Sequence, residues 1–392
     1  MAAPPIQAAE PPRARIAFDR NELSGAFGDM GTDFPLIAGM ILAANLNPAS
    51  VLTLFGIMQI LTGLLYGIPM PAQPLKAMAV IVISHKATAG ELYGGGLAIG
   101  FLMLLLAATG LLSALARAVP KSVVRGIQFG LGLQLANLAL RDYVPAEGGI
   151  GFLLGGAAFL VTLLLLGNRR FPPAPFVLAM GVAFALLFRV NAVSLVERVA
   201  FVLPAIHVPA RHDIWAGFIV LAIPQIALSL GNSVLATRQI VSDLFPERAI
   251  SIKKIGLTYS AMNLINPFFG GVPTCHGSGG MAGHYTFGAR TGGSVLIYGL
   301  FYLVLGLFFS LAFQQFIPLF PKPILGIMLL FEALALMVLC RDMATSIANF
   351  VIVLVVGVCA LALPYGYVVG LVLGVLLHYL FRSRLLHFTR EP

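Results

Sequence analysis

Apolar residues run along this chain in long blocks, with polar residues gathered between the blocks and not alternating within them. Fourteen blocks can be drawn, at 23–44, 48–68, 75–84, 94–116, 122–140, 150–166, 174–190, 214–236, 253–269, 275–285, 293–317, 323–340, 345–363 and 365–381. A helix rising 1.5 Å per residue needs about 20 residues to cross a bilayer core of roughly 30 Å, and most blocks approach that length. The third and tenth do not. Each follows a proline-bearing stretch, ending at Pro74 and Pro273. At about 3.3 Å per residue, an extended run over 68–73 carries the chain to about the midplane, which leaves a half-helix over 74–85 to finish the crossing. The pattern predicts an all-α polytopic membrane protein of about fourteen segments, with two broken half-helices preceded by short extended stretches.

The second broken segment, 271–283, is polar and glycine-rich between strongly apolar neighbours. Pro273 has no N–H to donate and a fixed φ, so it marks the junction to a helix expected to start at Thr274 or Cys275. The first N–H groups of a helix lack intrahelical partners, and a bilayer interior offers no bulk water to satisfy them. An anion suits them, because the helix start also carries partial positive charge. The alternative is a glycine-rich re-entrant turn that only lets helices pack closely.

The two broken segments stand about 200 residues apart, and the same offset recurs elsewhere, as an internal repeat requires. Gly28-Asp29 matches Gly231-Asn232, and Ile37 matches Ile240. Pro120-Lys121 with Gly126-Ile127 matches Pro321-Lys322 with Gly326-Ile327, and Gly95-Gly96 matches Gly292-Gly293. Seven segments per copy is an odd number, so the second copy enters the membrane from the other side, giving 7+7 inverted repeats. The expected organisation is a disordered cytoplasmic tail over 1–22, a first repeat over 23–191, a linker over 192–213, a second repeat over 214–381 and a short tail over 382–392. Of the 24 Lys and Arg, seventeen fall on the terminal side, among them Arg13, Arg117, Lys121, Arg125, Arg169, Arg170, Arg238, Arg384 and Arg390, and six on the other, with Lys76 inside a segment. The positive-inside rule then puts both termini in the cytoplasm, with the chain in the cell (inner) membrane.

Composition agrees with this class: 59% of residues are hydrophobic and 10% charged, against about 25% charged in soluble domains. The net charge of +9 is dispersed in short clusters between segments, which suits topology and not nucleic acid. Cys275, Cys340 and Cys359 show neither a disulfide framework nor metal-site spacing. Residues 1–22 lack the apolar core of a signal peptide.

Half-helix starts that converge near the midplane point to a transporter binding site. The first supplies Gln73 as an amide donor and Lys76 as a charge. An intramembrane lysine costs at least about 2.5–3.5 kcal/mol unless it faces a cavity or partner. Lys76 is therefore expected in or beside the site, or else paired with Asp29 or Asp33. The second start supplies Thr274, Cys275, His276, Gly277 and Ser278. Thr32, Asn232 and Ser233 complete the pocket, and Asp29 or Glu332 is expected to hold a coupling proton, since a bare carboxylate repels an anion. His276 equally well bonds a neighbouring carbonyl, and Cys275 equally well packs. Arg290 reads as an anchor at the cytoplasmic flank. Gly366, Gly370 and Gly374 form a stripe for close helix packing or a homodimer contact.

Two long motifs carry a resemblance. Pro69-Met70-Pro71-Ala72-Gln73-Pro74-Leu75-Lys76-Ala77-Met78-Ala79 and the run from Gly271 through Cys275, His276 and Gly277 to Arg290 closely resemble the signature motifs of the molybdate transporter family, itself similar to sulfate permeases and anion exchangers. Gly28-Asp29-Met30-Gly31-Thr32 extends the likeness over nearly the whole chain. The resemblance implies a core domain and a gate domain, and transport of a tetrahedral oxyanion, molybdate first and sulfate as the alternative. Only about ten residues follow Phe381, so the cytoplasmic regulatory domain usual in sulfate permeases is not expected. A channel of the same fold is the nearer rival and a membrane-embedded enzyme using Cys275 or His276 the distant one, since no base-and-orienter set accompanies them. No cofactor, metal or nucleic acid is expected; the partners are the oxyanion and the lipid bilayer.

Overall fold

The computed structural model describes residues 15–168 and 171–383. Residues 1–14 and 384–392 of the expected tails, and Arg13, Arg169, Arg170, Arg384 and Arg390 of the orientation count, lie outside the described residues. The described chain is mostly helical, with one two-stranded antiparallel ladder formed by β1 (Ala72–Pro74) and β2 (Thr274–His276).

Five helical segments among the described residues are long and apolar enough to cross a membrane: Pro48–Tyr66, Ala89–Thr109, Lys121–Leu165, Arg211–Leu244 and Lys322–Met343. Gly293–Phe308 and Ser310–Leu319, bent by 85°, make a sixth if taken together. Shorter apolar helices include Lys76–His85, Pro173–Phe188, Ile347–Ala362 and Gly366–Arg382. This is a multi-pass membrane protein, and length and hydropathy alone identify five or six of its crossings. One reason is that the blocks 122–140 and 150–166 run into each other through a π turn at Ala139–Tyr143 and a 3-10 turn at Val144–Glu147.

The chain is ordered before residue 23, against the expectation of a tail to residue 22. Asp19 caps the helix Arg20–Ala26 by accepting from Asn21 N and Glu22 N. Glu22 is buried, and its carboxylate accepts from Arg290 N, Thr291 N and Ser294 N at 2.8–2.9 Å, where the helix Gly293–Phe308 begins. One orphan donor of the helix start, Ser294 N, and two N–H groups of the turn before it thus acquire an acceptor. The block at 23–44 is divided, ending one helix at Ala26 and starting the next, Met30–Ala44, after Asp29. Gly28 sits at this break with no room for a Cβ, which would stand 2.6 Å from Gly283 O.

Packing follows an exchange between the halves. Pro48–Tyr66 lies on Gly293–Phe308, and Ala89–Thr109 lies on Ile252–Ile265. Gly56 faces the backbone at Gly299 and Leu303, and Gly100 faces Asn263, so backbones approach closely at both crossings. A second group joins Lys121–Leu138, Gly148–Leu165 and Pro173–Phe188 to Lys322–Val338, Ile347–Ala362 and Gly366–Arg382.

Candidate functional site

The middle of the molecule is the β1–β2 ladder, with Gln73 opposite Cys275 at its centre, Ala72 opposite His276 and Pro74 opposite Thr274. Such a short ladder has two outer edges, and inside a bilayer each edge group must find a partner. Two buried carboxamides serve. Gln59 Nε2 donates to Ala72 O at 2.6 Å while its Oε1 accepts from Ala72 N at 2.9 Å. Asn263 does the same for the other strand, donating to Thr274 O at 2.6 Å and accepting from Thr274 N at 3.0 Å. Gln59 and Asn263 stand about 200 residues apart, the offset of the repeat, and both are wholly buried.

The ladder moves the second helix start. Residues 274–276 remain extended because they pair with β1, and the helix begins at Ser278 with Gly277 before it, not at Thr274 or Cys275. The two starts also differ. On the first half-helix, Lys76–His85, Gln225 Oε1 accepts from Ala77 N at 2.9 Å and Met78 N at 3.4 Å. On the second, Ser278–Thr286, no acceptor among the described residues meets the N–H groups of Ser278, Gly279 or Gly280, and Gly279 is exposed.

Around these starts the expected side chains gather, though not with the expected partners. Lys76 Nζ lies 2.6 Å from Glu332 Oε1, and Thr32 Oγ1 donates to Glu332 Oε2 at 2.9 Å. Lys76 is therefore paired with Glu332, not with Asp29 or Asp33. Gln73 Nε2 donates to Asp29 Oδ2 at 2.6 Å, while Gln73 Oε1 is buried with no partner among the described residues. Asp29 Oδ2 also lies against Gly280, and Gln73 against Gly277, each where a side chain at the glycine would collide. Ser278 Oγ donates to Asn232 Oδ1 at 3.1 Å, and Asn232 and Ser233 lie on a π turn, Ser229–Ala236. Cys275 and Ser233 are both buried.

Two residues point elsewhere. Thr274 is engaged by Asn263 and, at its hydroxyl, by Asn266 Nδ2 at 3.3 Å. His276 Nε2 is 2.7 Å from Thr258 Oγ1, with its ring edge-on to Tyr66. Arg290 stacks on Tyr285 and donates to Tyr285 O and Ala289 O, away from the site. Sequence reasoning passed over Gln59, Gln225 and Asn263. Each is an amide inside an apolar segment, and that rarity was the available signal.

A cavity of about 690 Å³ opens between Lys121–Leu138 and the helix carrying Asn232. Lys121, Arg125, Gln128 and Arg238 line it together with Asn232. It therefore joins a basic rim to the residue that holds Ser278. Asp342 pairs with Lys121 at 2.8 Å and with Arg125 at 2.7 Å at this rim. A smaller cavity of about 190 Å³ is lined by Thr32, Thr162, Ala174 and Glu332.

The arrangement gathers hydrogen-bond donors, one ammonium and carboxylates around the half-helix starts. Known proteins resemble this chain in sequence and in fold. Residues 21–135 and 217–336 match the family model described as "Molybdate transporter of MFS superfamily". Molybdate transporter 2 of Arabidopsis thaliana is 34% identical, over 93% of this chain and 88% of that protein. Molybdate transporter 1 of the same plant is 31% identical, over 91% and 87%. Among solved structures, murine Slc26a9, an anion transporter in the inward-facing state, superposes with a TM-score of 0.71 at 13% identity, covering 94% of this chain and 69% of that one. The transmembrane domain of the cyanobacterial bicarbonate transporter BicA gives 0.64 at 15% identity, covering 91% and 96%. The fold is thus that of the SLC26 and BicA transporters, although the family's description carries the MFS name.

Proposed function

Since this chain belongs to the molybdate transporter family, we propose that it is a secondary active transporter of a tetrahedral oxyanion, molybdate first and sulfate second, working by alternating access. The anion binds at the start of the half-helix Ser278–Thr286. The free N–H groups there carry the proposal, because they are donors of a helix start with no acceptor among the described residues. Lys76, Gln73, Thr32, Asn232, Ser233 and Gly277 surround them; Thr274, Cys275 and His276 act by holding the ladder that presents them.

The exchange of packing partners between halves and the central ladder support 7+7 inverted repeats. The helices that hold the ladder are the core, and the group from 121–188 and 322–382 is the gate. The basic cavity ending at Asn232 is the route on the cytoplasmic side, which also carries the termini, in the cell (inner) membrane. Bringing a dianion into a compartment negative inside is opposed by about 4.6 kcal/mol per 100 mV, so accumulation needs a cation. A proton on Asp29, bonded to Gln73 beside the anion, supplies it. The Gly366, Gly370 and Gly374 stripe of the last helix is buried against Val356 and Cys359 of Ile347–Ala362 and Val123 of Lys121–Leu138, so it serves close packing within the chain and not the expected homodimer contact.

Uptake of labelled molybdate into proteoliposomes, competed by sulfate, tungstate and phosphate, tests this. Saturation and counterflow are expected, with tungstate the strongest competitor because it is closest to molybdate in charge and shape. Flux without saturation or counterflow would mean a channel, and no molybdate flux at all would refute the assignment.

A further inference from the structure

The pairing of Lys76 crosses the boundary between the two groups of helices. Lys76 starts the half-helix Lys76–His85 and Thr32 lies on Met30–Ala44, both beside the ladder. Glu332 lies on Lys322–Val338, in the other group. Both of its oxygens are committed across that boundary, Oε1 to Lys76 at 2.6 Å and Oε2 to Thr32 at 2.9 Å. The pair is shielded, with side chains 13% and 6% exposed. Two oxygens on one carbon, one taking an ammonium and one a hydroxyl, present the same acceptor edge that two oxygens of a tetrahedral anion would present.

We propose that Glu332 is a tethered competitor for the transported oxyanion: in the empty protein its carboxylate holds Lys76 and Thr32 and latches the two helix groups together, and the anion must displace it to bind. The proposal rests on the oxyanion reading of the site. Three observations support it. Lys76 and Thr32 are two of the donors available to a substrate here, and the same carboxylate engages both. Asp29 and Asp33 are bonded to Gln73 and to Tyr298, and among the described residues Glu332 is the acid paired with Lys76, so it is the group that an entering dianion has to replace there. The cavity of about 190 Å³ beside Glu332, lined by the Thr32 and Thr162 hydroxyls, gives the displaced carboxylate a place to go; at about 30 Å³ per water in the liquid, it has room for the group and water with it. Loading and unlatching then become one event: the empty site keeps the groups tied, and the filled site frees them to move.

Competition makes a prediction opposite to that of a structural ion pair. Glu332→Gln keeps the shape but removes the competing charge, and leaves Lys76 a buried ammonium in need of an anion. Molybdate binding to the full-length protein in nanodiscs, measured calorimetrically, should tighten by about tenfold or more, the scale of a charge-assisted hydrogen bond no longer broken on binding. Counterflow in proteoliposomes should slow, because the anion is no longer displaced by a returning carboxylate. Glu332→Asp, which keeps the charge but withdraws it by one methylene, should tighten binding less, and decides the matter if the amide variant fails to fold. Unchanged or weaker binding in the folded variants, with Lys76→Met unable to bind, overturns the competitor and leaves the oxyanion site standing. Molybdate binding by Lys76→Met equal to wild type refutes the Lys76 site on which the proposal rests.

Discussion

Gly277→Ala separates the site's geometry from the fold's stability. Gly277 has φ −99° and ψ 124°, extended values that alanine adopts without strain. The added methyl would land on the Gln73 carboxamide, overlapping Oε1 and Cδ and standing 3.0 Å from Cγ. Gln73 is 1% exposed, so the group has no solvent to turn into. Among the described residues its Oε1 has no partner, and the side-chain hydrogen bond that fixes it is Nε2 to Asp29 Oδ2 at 2.6 Å. The amide must leave Asp29 and the half-helix start together. A hydrogen bond to a charged group is worth about 1.5–3 kcal/mol, so molybdate binding should weaken by about 10-fold to 150-fold. Titration calorimetry in nanodiscs reads the affinity, and thermal unfolding in the same preparation checks the fold. Adding Gln73→Ala removes the collision, so Gly277→Ala with Gln73→Ala should unfold at a higher temperature than Gly277→Ala alone while binding stays weak, a non-additivity expected of touching residues. Wild-type affinity in Gly277→Ala would refute the placement of Gln73 at the site.

Other substitutions probe other parts. Lys76→Arg should retain some molybdate binding while Lys76→Gln and Lys76→Met lose about 1.5–3 kcal/mol of it, and equal binding by all three would remove charge from the account. Asp29→Asn should keep binding and exchange but lose accumulation driven by an inward proton gradient; accumulation like wild type would make Asp29 a holder of Gln73 only. Asn263→Leu strips partners from the N–H and C=O of Thr274, each worth about 1–3 kcal/mol when buried, so unfolding should shift to markedly lower temperature; no shift would mean the ladder edge is satisfied some other way.

Much of this architecture was legible from lengths and spacings. Blocks too short to cross, each behind a proline, predicted extended stretches before the half-helices, and a ladder and half-helices stand there. The starting residue was misplaced because Pro273 is as compatible with a strand as with a helix start, and only pairing with β1 decides between them. The partner of Lys76 was beyond reach for a different reason. Glu332 is 256 residues away, and nothing local in either helix records that the two meet. The asymmetry of the half-helix starts was hidden too, since Gln225 reaches Ala77 from 148 residues on, through packing. Gln59 and Asn263 could have been found: they are polar, lie in apolar segments, and share the repeat offset that exposed the other matches.

The central ladder has a consequence for how such a chain could be divided. Cut anywhere between residues 192 and 213, each half would keep its own amide clamp, Gln59 on Ala72 or Asn263 on Thr274, but would lose the opposing strand. A solitary half would then carry a bare strand edge into lipid, where exposed peptide groups find no water. The halves are obliged to be born together or to find each other.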